Sequence, residues 1–317
     1  MADATIYVSK YIGPASPKGI VLINLRKLIQ LAAMALFAAG VVIPLASTAA
    51  PPLRQYAAPT RIATMEGELL LVSDFAQGAV HMVRKKDLTV ARSIAIEGQP
   101  VAVAWSRGRI FVGNETKGQV EAYNPGGKLV ATFGEPGSIR LPNSIVILEP
   151  ANKLLVLDAY EKTIKVFTLD GVYLYPLTSP GVLTNPSAMS FDPDRQLLLV
   201  SDFGAFSSSI FGKAQSYVQV VDLDGNKLQR FNLNFSRPQG SAVDGKGRLF
   251  VVDSFLAKIH ILDAANGKEL GVLGGFGSDP GQLKLPLDVL YLPTDGNLLV
   301  TDSGNGRIAV FPQGATP

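Results

Sequence analysis

The sequence predicts an all-β chain, a six-bladed β-propeller of four-stranded blades preceded by an N-terminal export signal, and three observations carry that expectation. An apolar pair followed by Val-x-Asp, or once by Val-x-Asn, recurs six times: LLLVSD (69–74), RIFVGN (109–114), KLLVLD (153–158), LLLVSD (197–202), RLFVVD (248–253) and NLLVTD (297–302). Fourteen to sixteen residues upstream of each Asp or Asn stands a proline: Pro59, Pro100, Pro142, Pro186, Pro238 and Pro286. Six residues downstream, in five copies, a β-branched residue opens a further strand: Val80, Val120, Ile164, Ile259 and Ile308. The fourth copy reaches Val218 after an insertion of ten residues. A repeat of about 40–50 residues holding several short strands is the mark of a propeller, one repeat per blade.

The first fifty residues belong to a different physical class. Lys10, Lys18, Arg26 and Lys27 precede an apolar run from Leu28 to Ala46, which contains Pro44 and leads into Ser47, Thr48, Ala49 and Ala50. A basic stretch, an apolar stretch and a small-residue end make an export signal cleaved after Ala49 or Ala50. The competing reading is an uncleaved membrane anchor, since the run is long enough to cross a bilayer. The expected organisation is therefore a signal over 1–49 and a propeller over 50–317, placed in the periplasm or secreted.

Cleavage removes four of the 29 basic residues and one of the 26 acidic residues, leaving 25 of each. A chain so balanced lacks the basic surplus that counterion displacement on nucleic acid demands. No cysteine is present, which excludes a disulfide framework, a lipid-anchored thiol, a covalent c-type haem, an iron–sulfur cluster and a thiol nucleophile. An exported chain without disulfides must rely on burial, for which one propeller has core enough.

Within a repeat, alternation of apolar and polar residues predicts four strands. In the third repeat they run Ser144–Leu148, Lys153–Leu157, Thr163–Phe167 and Val172–Leu177. Asp170-Gly171 and Asp224-Gly225 supply tight turns before fourth strands. The innermost strand starts beside the proline, where the missing N–H disturbs the ladder least. The last repeat ends at Phe311 with three strands, and the segment Leu53 to Ala58 is the expected donor of its fourth.

The stretch GGFGSDPGQLKLPLDVLYLPTDGNLLVTDSGNGRIAVF (274–311) resembles the NHL repeat: a Gly-rich link, a proline-started strand, an apolar strand ending in Asp, then Asn-x-Arg-Ile and a further strand. The other five repeats diverge from that pattern, with Asn114 in place of Asp and the whole inter-strand loop present only at 302–308. The resemblance implies the fold over nearly all of the mature chain. It leaves function open, because propellers of this kind serve as binding scaffolds, RNA readers, receptor ectodomains and, in a few cases, enzymes.

Candidate chemistry is sparse. The repeated Asp74, Asp158, Asp202, Asp253 and Asp302 occur once per blade, as a structural demand would, and are expected to accept backbone N–H bonds. His81 and His260 hold equivalent, outward-leaning polar positions in third strands, where other blades carry Glu121, Lys165, Gln219 and Ala309. Two histidines in different blades cannot make a zinc centre, which removes the zinc-dependent amidating lyase that resembles this fold. A lactonase-like propeller would instead place oxygen ligands around a hard cation at the channel mouth, and Asn143, Gln239 and Asp288, just after blade prolines, are the candidates for that alternative hydrolase. The Gly-rich 271–281 segment has neither a following helix pattern nor Lys-Ser/Thr, so it is a link and not a phosphate loop.

The aromatic pattern says more. Loops after the repeated Asp carry Phe75, Tyr160, Phe203 and Phe255, and the insertion 204–216 adds Phe206 and Phe211. Aromatic side chains with no core to fill often anchor a partner; the alternative is that each ring packs back on its own blade or the next. The reading is a binding scaffold without catalysis or cofactor of its own, engaging a protein or small ligand on that face. It is a monomer or part of a cell-envelope complex, with no nucleic acid and no membrane contact after cleavage.

Overall fold

The computed structural model describes residues 55–205, 215–232, 234–312 and 314. The signal segment, Leu53, Phe206 and Phe211 lie outside these residues. The described chain is all-β: twenty-three strands and two three-residue 3-10 turns, arranged as six antiparallel sheets in a ring. No helix among the described residues is long and apolar enough to cross a membrane.

Every sheet is built in the same order from the channel outward. The inner strands are Pro59–Thr64, Pro100–Ser106, Pro142–Leu148, Pro186–Asp192, Pro238–Val243 and Pro286–Leu292, so each predicted proline opens one. The second strands, Leu69–Asp74, Arg109–Asn114, Lys153–Asp158, Leu197–Asp202, Arg248–Asp253 and Asn297–Asp302, end on the repeated Asp or Asn. Register sets proline opposite that residue, as in Pro59↔Asp74 and Pro142↔Asp158. Third strands follow at Ala79–Arg84, Gln119–Tyr123, Thr163–Thr168, Tyr217–Asp222, Lys258–Asp263 and Arg307–Phe311. Outer strands, Val90–Ala95, Leu129–Phe133, Tyr173–Pro176, Lys227–Asn232 and Glu269–Gly274, complete the first five blades. Their residues are mostly exposed, whereas second strands are almost wholly buried.

The core lies between blades. Six buried clusters form, and each joins two neighbours; Phe111, Phe133 and Phe167, for example, make an edge-to-face series at 5.6 and 6.2 Å that ties the second blade to the third. Burying one such side chain is worth about 1.5–3 kcal/mol, so the wedges between blades hold the ring. Turn chemistry follows the sequence: Gly225, at φ +87°, lies so close to the carbonyl of Leu177 that no β-carbon fits there.

The sixth blade has three strands among the described residues. Of the expected closing segment, residues 55–58 are described, and they form a bend. Gln55 and Tyr56 both donate backbone N–H bonds to the carbonyl of Gly306, at 3.0 and 3.1 Å. The ring closes through packing: Tyr56, Ile62, Leu70, Val72 and Val83 of the first blade share a buried cluster with Leu292, Leu299 and Ile308 of the sixth.

Candidate functional site on the link face

Because proline and Asp face one another in register, the links between blades and the loops after each Asp share one end of the ring, the link face. The Asp side chains build it. Asp74 accepts backbone N–H bonds from Ala57 (2.7 Å) and Ala58 (2.9 Å), and Asp158 from Arg140 (3.0 Å) and Leu141 (3.2 Å). Asp202 takes Thr184 and Asn185, Asp253 takes Ser236 and Arg237, and Asp302 takes Lys284. Each carboxylate also draws in its own loop, as with Gln77, Glu161, Gly204 and Leu256. Immediately before each clasped link stretch, and before Glu97, whose carbonyl accepts from Asn114 in the second blade, a large apolar residue is buried: Tyr56, Ile96, Ile139, Leu183, Phe235 and Leu283. The aspartates are structural, as their recurrence implied.

The second blade keeps the arrangement by exchange. Asn114 stands where the others have Asp, and it donates to the buried Glu121 carboxylate at 2.9 Å, which also takes Lys117 at 2.9 Å and Tyr123 at 2.7 Å. The negative charge has moved to the neighbouring strand. The third-strand position of Glu121 is a polar partner for the link in other blades too: Lys165 meets Asp158 at 2.9 Å, and His81 lies 3.8 Å from Asp74.

The histidines therefore need correction. They do not lean outward; His81 and His260 are buried, capped edge-on by Tyr56 and Phe235 at 5.4 and 5.0 Å. Their Nδ1 atoms pair with Ser93 at 2.8 Å and Glu269 at 2.6 Å. Strand alternation placed them on a sheet face, but the apolar link residue covers that face. At Asp74, burial works to raise the carboxyl pKa, and the nearby His81 ring together with the N–H bonds from Ala58, Gln77 and Ala57 outweighs it and holds the pKa below its ordinary value.

On this frame sit the predicted loop aromatics. Tyr160 and Phe255 are exposed, at 57% and 61%, while Phe75 and Phe203 are half-buried. The exposed rings have cationic partners that sequence reasoning missed. The Arg140 guanidinium lies 3.6 Å from the Tyr160 ring centre, and Arg237 lies between two rings, 4.8 Å from Phe203 and 5.1 Å from Phe255. Such contacts contribute about 0.5–1 kcal/mol when exposed and fix the orientation of a long side chain. Both arginines come from the links that Asp158 and Asp253 clasp. Lys284 is clasped in the same way by Asp302 and is exposed. Among the described residues, no carboxylate pairs with these three cations. Phe276, 74% exposed, lies in the link that leads to Lys284. The missed signal was a basic residue one or two places before Pro142, Pro238 and Pro286.

The candidate cation ligands meet a different arrangement in the channel. Arg61 crosses it, donating to the carbonyls of Asn143 (3.1 Å), Leu287 (2.9 Å) and Ser187 (2.9 Å), in three blades. Asn143 gives its side-chain amide to the Ser187 carbonyl, Gln239 is buried, and Asp288 accepts the N–H of Ile62 at 3.0 Å. Inner strands have one unpaired edge, and a buried edge needs partners; these side chains supply them. Burial lowers the Arg61 pKa against the opposing pull of Asp288, and burial raises Asp288 to about 6 against the pull of Arg61. A guanidinium thus occupies the place between Asn143 and Asp288 where the alternative put a hard cation. No group of three or more His, Cys, Asp or Glu side chains suited to a metal occurs among the described residues. Arg61 was legible as a charge at a position where other blades carry Ala102, Ser144, Ala188, Gly240 and Asp288.

A scan against known protein families finds no match. Among solved structures, the chain is similar to Kuenenia stuttgartiensis hydrazine synthase, with TM-score 0.61 and 13% identity over 81% of this chain and 96% of that one. It is likewise similar to a chain of a nidogen/laminin complex, with TM-score 0.60 and 18% identity over 79% of this chain and 95% of that one. At such identities the likeness establishes the propeller fold.

Proposed function

We propose that this propeller is an exported binding scaffold of the NHL-repeat type that docks a protein partner on its link face and performs no catalysis itself. One observation carries the reading: Arg237 is held between Phe203 and Phe255 with no carboxylate partner among the described residues. Arginine and aromatic side chains together dominate interface hot spots, where preset geometry spares the ordering cost of binding. Tyr160 with Arg140 repeats the motif in the third blade, and Phe206 and Phe211, outside the described residues, are further proposed contacts. One structural neighbour, a chain of a nidogen/laminin complex, is a similar fold in a protein–protein assembly. The metal-dependent hydrolase has no comparable support, because the Arg61 charge repels a cation at the Asn143 and Asp288 position.

The test compares wild-type protein with Arg237→Ala, Phe255→Ala and Tyr160→Ala in capture from the exported fraction of the producing cell. Leu228→Ala, on an outer strand, is the control. A partner retained by the control and lost by the three variants at unchanged melting temperature supports the proposal. Equal capture by all four overturns it.

A further inference from the structure

Past the Arg61 plug the channel opens into a cavity of about 340 Å³, which runs away from the link face toward the far ends of the inner strands. Its volume falls in the range of small-molecule sites, about 300–1,000 Å³, which are mostly apolar with a few convergent polar groups. Trp105, Ile145, Ile147, Phe191 and Leu290 line it and are all half-buried, although they belong to inner strands whose alternate residues are fully buried. Apolar side chains facing a water-filled channel gain by having that water displaced. At the closed end lie Asp288 and Arg61, and further along the wall the hydroxyls of Ser190 and Ser241 are bonded to each other at 2.7 Å.

The closed end selects the head group. Arg61 has three of its N–H groups on carbonyls, so its charge is present while these donors are engaged. A charged amine or carboxylate carried to this depth loses its hydration, and because Arg61 and Asp288 already offset each other neither offers it a free counter-charge. A hydroxyl or amide exchanges hydrogen bonds with the serine pair at no such cost. We propose that the channel binds a small neutral amphiphile, its apolar body against Trp105, Phe191 and the isoleucines and its hydroxyl or amide head at Ser190, Ser241 and Asp288. This site lies beyond the plug from the link face and stands independently of the partner reading.

Trp105 is the single tryptophan of the chain, so its emission reports on the cavity directly. Titrating 1-octanol into the purified protein is expected to shift Trp105 emission saturably. 1-Hexanol should bind more weakly by about fourfold for each methylene removed. Octylamine and octanoate should bind at least tenfold more weakly than octanol. Ala242→Phe and Ala63→Leu, which fill the cavity from two sides, should weaken octanol binding at least tenfold while the protein still melts cooperatively. The proposal is overturned if octanol leaves the emission unchanged, if hexanol and octanol bind alike, if either charged analogue binds more tightly, or if both filled variants bind octanol as wild type does. Should neither filled variant fold, the wild-type alcohol series decides alone.

Discussion

Replacing Arg61 by Leu tests the plugged channel most severely. The guanidinium gives three charge-assisted hydrogen bonds to carbonyls of the third, fourth and sixth blades, each worth about 1.5–3 kcal/mol in a buried setting. Water entering from the cavity side satisfies some of those carbonyls in the variant, so the sum is not lost. Removing one member of a buried charge pair costs about 3–5 kcal/mol, and that is the expected penalty near neutral pH. For a chain of this size it corresponds to a fall of roughly 10 °C in melting temperature. The penalty must also depend on pH. Asp288 moves from 3.8 to about 6 on folding, so between those values the folded state binds more protons than the unfolded one. Stability therefore declines as pH rises through that window, by about 3 kcal/mol at most. Without Arg61 only the N–H bonds of Ile62 and Val289 oppose the burial of Asp288, its pKa climbs further, and the decline extends to higher pH. Denaturant unfolding of both proteins at pH 5 and pH 8 should show a larger Arg61→Leu penalty at pH 8, by at least about 1 kcal/mol. Equal penalties at the two pH values, or a penalty under about 1 kcal/mol at both, would refute the reasoning.

Other outcomes follow from the same contacts. Asp253→Ala leaves the N–H groups of Ser236, Arg237, Phe255 and Leu256 without their acceptor, and chemical denaturation should register a loss of at least about 3 kcal/mol. Tyr56 is fully buried and its hydroxyl has no partner among the described residues, so Tyr56→Phe should melt at or above wild type, whereas Tyr56→Ala should lose about 3–5 kcal/mol. Glu121→Gln in the second blade removes the charge that stands in for the missing Asp, and thermal unfolding should show a loss of about 1–3 kcal/mol that Asn114→Asp partly restores. Arg237→Ala, on the surface, should change stability by no more than about 0.5 kcal/mol in the same assay.

The fold was legible because its signals repeat. A proline that cannot donate, an apolar second strand and an Asp that clasps the next link are demanded once per blade, and six copies outweigh the divergence of any one. His81 and His260 were misplaced because period-two alternation names a sheet face without saying what covers it; the covering residues, Tyr56 and Phe235, each come from a link 25 residues earlier in sequence. Asp288 was read without Arg61 because the two sit in the last and first blades, and only ring closure brings them to one channel. The loop aromatics stood out by position, yet their arginines lie in links before the prolines, and cation–ring pairing across 18, 20 and 34 residues leaves no local pattern.

The central claim, a partner docked on the link face, is tested most directly by photocrosslinking in the producing cell, with a benzophenone-bearing residue at Phe255, at Tyr160 or, as control, at Leu228. The account predicts a common crosslinked protein from Phe255 and Tyr160 that is absent from Leu228 and disappears when Arg237→Ala is added. A crosslink confined to Leu228, or none from either ring while the protein shows a hydrolytic activity abolished by Asp288→Asn, would contradict it.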